Sequence, residues 1–272
     1  MLSEPMVSCN MEDFTGKNII LTGGAGIGVG GGVCEALHAL GAQLLLVDNN
    51  EQALQRAKKS YARVRTYHAD ISTKDGVDAL FDQLFNDFNQ VDGLVNNAGI
   101  GLSKEAHTVE ESEYDRLMAV DLKAVWMCSS RFARQLIARR QPGNIVNIAS
   151  VHTHSTMAKY ALYSAAKNGI KGLTMGMAVE LGKHQIRVNA VGPGYVHAEQ
   201  NLALIRTWTD DPEGWVEGYR KNQQAIERII DPVDVGHVVA FLLSDQARAV
   251  TGQLIYVDNG TTSLLFNRDF SE

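Results

Sequence analysis

Cysteine is scarce: the 272 residues carry three, Cys9, Cys34 and Cys128, and no two of them are close in the chain. That spread argues against a disulfide framework and against a cysteine-based zinc site, and it fits a reducing compartment. No Pro/Ser-rich stretch marks a linker, and there is no internal repeat or low-complexity segment. No apolar run reaches the ~18 residues of a membrane span. Runs of like charge stop after a few residues and the net charge is -6, so neither a nucleic-acid surface nor an anionic-membrane surface is indicated. Residues 1–14 contain Glu4, Glu12 and Asp13 without a basic-then-apolar order. They read as a loose tail rather than a signal peptide, and the chain reads as cytoplasmic.

The chain is 45% hydrophobic and 21% charged, ordinary for a soluble globular protein. Short apolar runs predict strands at 18–22, 43–47, 64–67, 91–95, 144–148, 186–191 and 254–257. Helical spacing fills the intervals. Val33, Leu37 and Leu40 share one face, and 51–61 is helical. Val77, Leu80, Phe81, Leu84, Phe85 and Phe88 make an apolar stripe. Long helices are predicted over 112–140, 163–181 and 233–243. Apolar strands alternating with helices are the mark of a parallel sheet covered on both faces. The expected fold class is therefore α/β: one domain over 15–272 built on a doubly wound parallel sheet. Residues 196–228 break the rhythm. They are polar, contain Trp208, Trp215 and Tyr219, and read as an inserted helical substrate lid.

Between the first strand and the first helix lies Thr22-Gly23-Gly24-Ala25-Gly26-Ile27-Gly28-Val29-Gly30-Gly31-Gly32, seven glycines in eleven residues. Such a loop lets the backbone approach a pyrophosphate, whose charge the following helix N-terminus stabilises. So many glycines carry an entropic cost without helping a core. Asp48 ends the second strand, twenty residues after Gly28. A carboxylate there accepts hydrogen bonds from both ribose hydroxyls and repels a 2'-phosphate. No Arg or Lys lies in the glycine loop or directly after Asp48, so NAD is favoured over NADP.

Tyr163 and Lys167 stand four residues apart, one helical turn, so phenol and ammonium project from the same face. A cation beside a phenol, which ionises near ~10 when free, favours the phenolate and makes it a usable base near neutral pH. Ser150, thirteen residues upstream, offers a hydroxyl to hold the oxygen of a carbonyl or alcohol. Tyr160 is followed four residues on by Ser164, not lysine, and reads as packing. His152 and His154 have no third ligand nearby, so no metal site is assigned. They read as lining the substrate cleft, together with Tyr195 and His197. Trp208 and Trp215 leave three roles open: an apolar lid, a subunit contact, or a cover over the core.

These motifs, in this order, resemble the short-chain dehydrogenase/reductase family over nearly the whole chain. The match runs through Thr22 to Gly30, Asp70, Asn96-Asn97-Ala98-Gly99, Ser150 with Tyr163 and Lys167, Asn189 to Gly194, and Gly252-Gln253 through Val257-Asp258. The resemblance implies a single Rossmann-type domain. It implies Tyr163 as general acid/base, Lys167 as the cation beside it and a ribose contact, and Ser150 as the group orienting the substrate oxygen. It places Gly24, Gly28 and Gly30 at the phosphates, Asp48 at the ribose, and Asp70 and Ile71 at the adenine. Asn97, Ala98, Gly99, Pro193, Gly194 and Val196 would complete the cofactor site.

The sequence departs from the family pattern in three places. Four residues separate Thr22-Gly23 from Gly28-Val29-Gly30, where the family has three; taking Gly26 and Gly28 as the pair instead leaves the gap one short. Gly28 and Gly30 are preferred because of their interval to Gly41. Asp121 stands where the family usually has Asn, which helps hold a water linking the lysine to solvent. Aspartate keeps an acceptor but lacks the amide donors. It either does the same work, or pairs electrostatically with Lys167, or is a helix residue of no catalytic consequence. Ala198 stands where the family often has Thr, leaving His197 or a backbone amide to substitute.

The expected activity is hydride transfer between NAD(H) and a secondary alcohol or ketone. The substrate is expected to be a small polar molecule such as a sugar or polyol, since His152, His154, His197 and Glu199 offer polar groups. One alternative is a reductase of a bulkier apolar or carrier-bound ketone, with Trp208 and Trp215 forming an apolar groove. Another, of a different class, is a catalytically silent NAD-binding sensor or structural subunit. Asp121 and the irregular glycine loop favour it, and the intact Ser150, Tyr163 and Lys167 oppose it. The family resemblance implies a homotetramer.

Overall fold

Unbroken apolar runs suit strands that are covered on both faces, and here they build one parallel sheet. The computed structural model describes residues 13–265. Among these, β1 (Asn18–Thr22), β2 (Gln43–Asp48), β3 (Val64–His68), β4 (Gly93–Asn96), β5 (Gly143–Ile148), β6 (Ile186–Pro193) and β7 (Leu254–Val257) pair in the order β3-β2-β1-β4-β5-β6-β7. Every pairing is parallel. The central strands are almost wholly buried, while β3 and β7, at the two edges, are more exposed. The chain leaves β1 toward β2 on one side and reaches β4 on the other. The strand order thus reverses beside β1, and a crevice opens at the C-terminal ends of β1 and β4.

Helices cover both faces. On one, α1 (Val29–Ala39) and α9 (Pro232–Leu243) pack on a core that includes Ile19, Leu21, Leu44, Leu46 and Val146. On the other, α3 (Lys74–Asp87) and α6 (Ala161–Leu181) contribute to a core with Ile20, Leu45, Phe81, Phe132 and Ile145. The helix starts follow capping chemistry. Asn50 caps α2 (Glu51–Ser60), Thr73 caps α3, and Asp231 with Asp234 forms a capping box on α9 behind Pro232. Part of the glycine cluster does serve the core, against the expectation from sequence. A Cβ on Gly32 would lie 2.0 Å from the carbonyl carbon of Pro232, so that glycine is what lets α1 and α9 touch.

Two further differences bear on the site. The helix predicted over 112–140 is not uniform. It consists of α4 (Glu111–Met118), a π-helical turn at Ala119–Lys123, and α5 (Ala124–Arg139). Phe14, assigned to the tail, is buried, and its N–H donates to the carbonyl of Leu40 at 2.8 Å. Cys9, like the other residues of 1–12, lies outside the described residues. Among the described residues no helix is long and apolar enough to cross a membrane.

Candidate active site

The glycine loop leaves β1 at Thr22, whose hydroxyl accepts the N–H groups of Asn97 at 3.0 Å and Ala98 at 3.2 Å. The Asn97 amide in turn donates to the carbonyls of Thr22 and Gly23 at 3.1 and 3.0 Å. These bonds lock the ends of β1 and β4 together under the crevice. Gly28 is the N-cap of α1 and supplies no side-chain cap, so the helix start keeps backbone donors for an anion. A Cβ on Gly30 would stand 2.2 Å from the carbonyl oxygen of Gly23 and 2.5 Å from the Asn97 amide nitrogen. Gly30 is therefore the position where helix and loop pack closest, and Gly28 lies one step nearer the helix mouth. Gly24 faces Leu21 and Leu46, on the core side of the loop.

Asp48 closes β2, with one carboxylate oxygen accepting the N–H of Asn50 at 3.0 Å. Asp70 lies just past β3. The hydroxyl and N–H of Ser72 both donate to one of its oxygens and hold its carboxyl below the usual carboxylate range. Ile71 packs beside it against the α3 side of the core. An uncapped helix start, a glycine loop with no room for a side chain at Gly30 and a carboxylate at the end of the second strand fit a dinucleotide. Gly28 would face the phosphates, Asp48 the ribose and Asp70 the adenine edge.

Tyr163 and Lys167 lie on α6 as their spacing requires, with the Lys167 ammonium 5.4 Å from the centre of the Tyr163 ring. Lys167 is buried, its Nζ 3.0 Å from Oδ2 of Asp121 and 3.4 Å from the carbonyl of Ile148 at the end of β5. Burial works against its charge, but Tyr163 and Asp121 outweigh that and raise its pKa above the ordinary lysine value. Asp121 comes from the π-helical turn, has no exposed side-chain surface, and accepts the N–H of Ile100 at 2.7 Å. Of its open roles, the geometry shows the direct pairing with Lys167. Gly99 has no side chain in the way; a Cβ there would meet Oδ2 of Asp121 at 3.1 Å.

Ser150 is buried at the end of β5 and caps the 3-10 turn Val151–Thr153 through the N–H of His152 at 3.3 Å. His152 sets its ring edge-on to Tyr163 at 5.3 Å and stacks on Tyr160 at 5.0 Å. Its Nδ1 pairs with the Thr156 hydroxyl at 2.9 Å, which reaches Ser164 at 2.7 Å. Burial lowers the His152 pKa and so favours the neutral ring. His154 turns elsewhere, toward Tyr256. Tyr160 is buried and packs on both rings.

β6 ends at Pro193, and Gly194, Tyr195, Val196 and His197 follow in the loop. The Gly194 N–H donates to Val257 at 2.9 Å, and Val196 bridges to Ile230. Tyr195 packs on Trp215 and Tyr219 of α8 (Pro212–Gln223), and its hydroxyl lies 3.5 Å from Nδ1 of His197. Trp208 meets Trp215 at 5.8 Å. The two tryptophans therefore join an aromatic cluster that holds the lid to the Pro-Gly loop. Glu199, expected in the cleft, instead pairs with Arg206 along α7 (Glu199–Ile205) and is largely exposed. Sequence reasoning missed Gln200. A Cβ on Gly28 would come 3.0 Å from its Oε1, so the lid reaches the glycine loop itself.

Comparisons with known proteins find relatives along nearly the whole chain. A family model described as enoyl-(acyl carrier protein) reductase matches residues 24–262. Carbonyl reductase (NADPH) 2 of Sus scrofa is 32% identical over 91% of this chain and 97% of its own length. L-xylulose reductase of Homo sapiens is 32% identical over 92% of this chain and 98% of its own. The crystal structure of a putative gluconate dehydrogenase from Agrobacterium tumefaciens superposes with a TM-score of 0.84 at 30% identity. It covers 94% of this chain and 99% of that one. Family members are oxidoreductases that act on CH–OH groups with a nicotinamide cofactor. With a glycine cradle, a Tyr-Lys pair on one helix face and relatives matched end to end, this chain belongs to the short-chain dehydrogenase/reductase family.

Proposed function

We propose that the protein is an NAD-dependent dehydrogenase or reductase that interconverts a secondary alcohol and its ketone on a small polar molecule, a sugar or polyol. The observation that carries the reaction is the buried Lys167 ammonium lying against the Tyr163 ring. It supports Tyr163 as the group that takes the alcohol proton in oxidation and returns it in reduction. Ser150 would donate its hydroxyl to the substrate oxygen and hold it near the phenol. Bound nicotinamide supplies the hydride acceptor or donor, and the protein supplies placement and electrostatics.

NAD over NADP rests on Asp48, whose carboxylate is suited to ribose hydroxyls and opposed to a 2'-phosphate. The polar substrate rests on His152 beside Tyr163 and on Tyr195 with His197 across the loop. The relatives named for xylulose and gluconate point the same way. The test is a panel of sugars and polyols offered with NAD and, separately, NADP, following reduced nicotinamide. Turnover with NAD on polar substrates is expected. Turnover only with bulky apolar ketones would overturn the substrate, and preference for NADP would overturn the cofactor.

A homo-oligomer is also proposed. Trp126 of α5 is 50% exposed. With Met118, Leu122 and Leu173 it lines an apolar groove of about 720 Å³ between α5 and α6. A second copy would cover this apolar face. Sedimentation of the protein and of Trp126→Glu tests it: the variant should run as a smaller species.

A further inference from the structure

Aspartate at position 121 puts a full negative charge where hydrogen bonding alone would need only a neutral acceptor. The Ile100 N–H takes one oxygen at 2.7 Å, and the other lies 3.0 Å from the Lys167 ammonium. Both side chains are out of solvent, at 0% and 6% exposed. Water and salt therefore screen the pair weakly. The π-helical turn aims the carboxylate inward, and Gly99 leaves the space the pair fills.

The pair has no net charge. A lone ammonium beside Tyr163 would pull strongly toward the phenolate, and the Asp121 carboxylate, 3.0 Å from the same nitrogen, opposes that pull. We infer that Asp121 is an electrostatic positioning residue that offsets Lys167, so that proton removal from the substrate alcohol takes hold at a higher pH than lysine alone would set. The inference rests on the reading of Tyr163 as the proton carrier. Removing one unit charge at this range is expected to move the onset by about one pH unit.

The titratable groups that face Tyr163 and Lys167 are few. The 3-10 turn presents His152, the start of α6 presents Tyr160, and the π-helical turn presents Asp121. On β6, Arg187 turns away to the carbonyls of Ser244 and Val250. Asp115 and Lys123 border the outer groove beside Trp126, and Lys171 lines a separate groove near Tyr256. Burial lowers the His152 pKa, so it is not the source of a second limb at alkaline pH. Asp121 is therefore the one anion in contact with the pair among the described residues.

Two readouts test it on wild type and Asp121→Asn. The first is the pH profile of kcat/KM for alcohol oxidation with NAD. The second is the near-ultraviolet phenolate titration of the cofactor-free protein, taken as a difference against Tyr163→Phe in each background. In Asp121→Asn the acid limb and the Tyr163-dependent titration should both move about one pH unit lower. No movement would overturn the inference. Movement to higher pH would also overturn it, because Asp121 would then serve to keep Lys167 charged. If Asp121→Asn does not fold, Asp121→Ser keeps an acceptor for Ile100 and the same shift is expected. Failure of wild type to turn over any alcohol would sink the proposed function, while the cofactor-free titration would still decide this inference.

Discussion

Lys167→Met should destabilise the fold in a pH-dependent way, because it strands Asp121 in a site with no solvent. At 3.0 Å and an effective dielectric near ~20, the attraction within the pair is about 5 kcal/mol. Much of that only offsets the hydration both groups give up, so the intact pair is a small net stabiliser. Breaking it is different, since an uncompensated buried charge costs about 3–5 kcal/mol. Proton uptake sets a ceiling on that loss. Keeping an aspartate protonated in the folded state at pH 7 costs about 4 kcal/mol relative to the unfolded chain, and about 1.4 kcal/mol less for each pH unit below 7. Lys167→Met is thus expected to lose about 3–4 kcal/mol at pH 7 and about 1–2 kcal/mol near pH 5. The sign follows from proton counting. The folded variant holds a proton that the unfolded chain releases, so its stability rises as pH falls, until the unfolded aspartate is protonated too, near ~4. The double variant Lys167→Met/Asp121→Asn carries no stranded charge and should stay within about 1.5 kcal/mol of wild type. Urea midpoints at fixed protein concentration, with unchanged slopes, give the four corners of the cycle at both pH values. A single variant as stable as the double, or a loss that ignores pH, would refute the reasoning.

Asp48→Ser removes the ribose acceptor and the repulsion of a 2'-phosphate. NAD affinity should fall tenfold or more, on the order of one charged hydrogen bond, while NADP binds better; calorimetry with both cofactors checks this, and unchanged NAD affinity would contradict it. Gly30→Ala forces a methyl to within 2.2 Å of the Gly23 carbonyl. An overpacking cost of about 1–3 kcal/mol should lower Tm by about 3–10 °C. Burial pushes the thiols of Cys34 and Cys128 up to about 12. In Cys9→Ser protein at pH 8 both should resist thiol reagents until the chain unfolds, and rapid modification of the native protein would contradict their burial.

The α/β alternation was legible because each strand is a dense apolar run and each helix shows one apolar face. The Tyr-Lys pair was legible because one helical turn fixes its geometry whatever surrounds it. Its partner was legible only as one of three open roles for Asp121, raised by the family resemblance. Asp121 lies on another helix, and only the fold brings it to Lys167. The π-helical turn that aims it leaves no trace in hydrophobic periodicity. Gly32 read as part of a phosphate loop because a sequence does not say which helix crosses a glycine, and here α9 does. Glu199 read as a cleft residue for a similar reason: its partner Arg206 caps the C-terminal end of the same short helix, visible only once α7 is placed. Phe14 was missed because a single aromatic ahead of the first strand has no periodicity to declare its burial.

The most direct test of the central claim is a single-turnover measurement of reduced nicotinamide formation by wild type and Tyr163→Phe, with cofactor binding measured on both. If Tyr163 moves the proton, the variant should bind NAD as wild type does and transfer hydride at least about a hundredfold more slowly. Equal rates of hydride transfer would contradict the account.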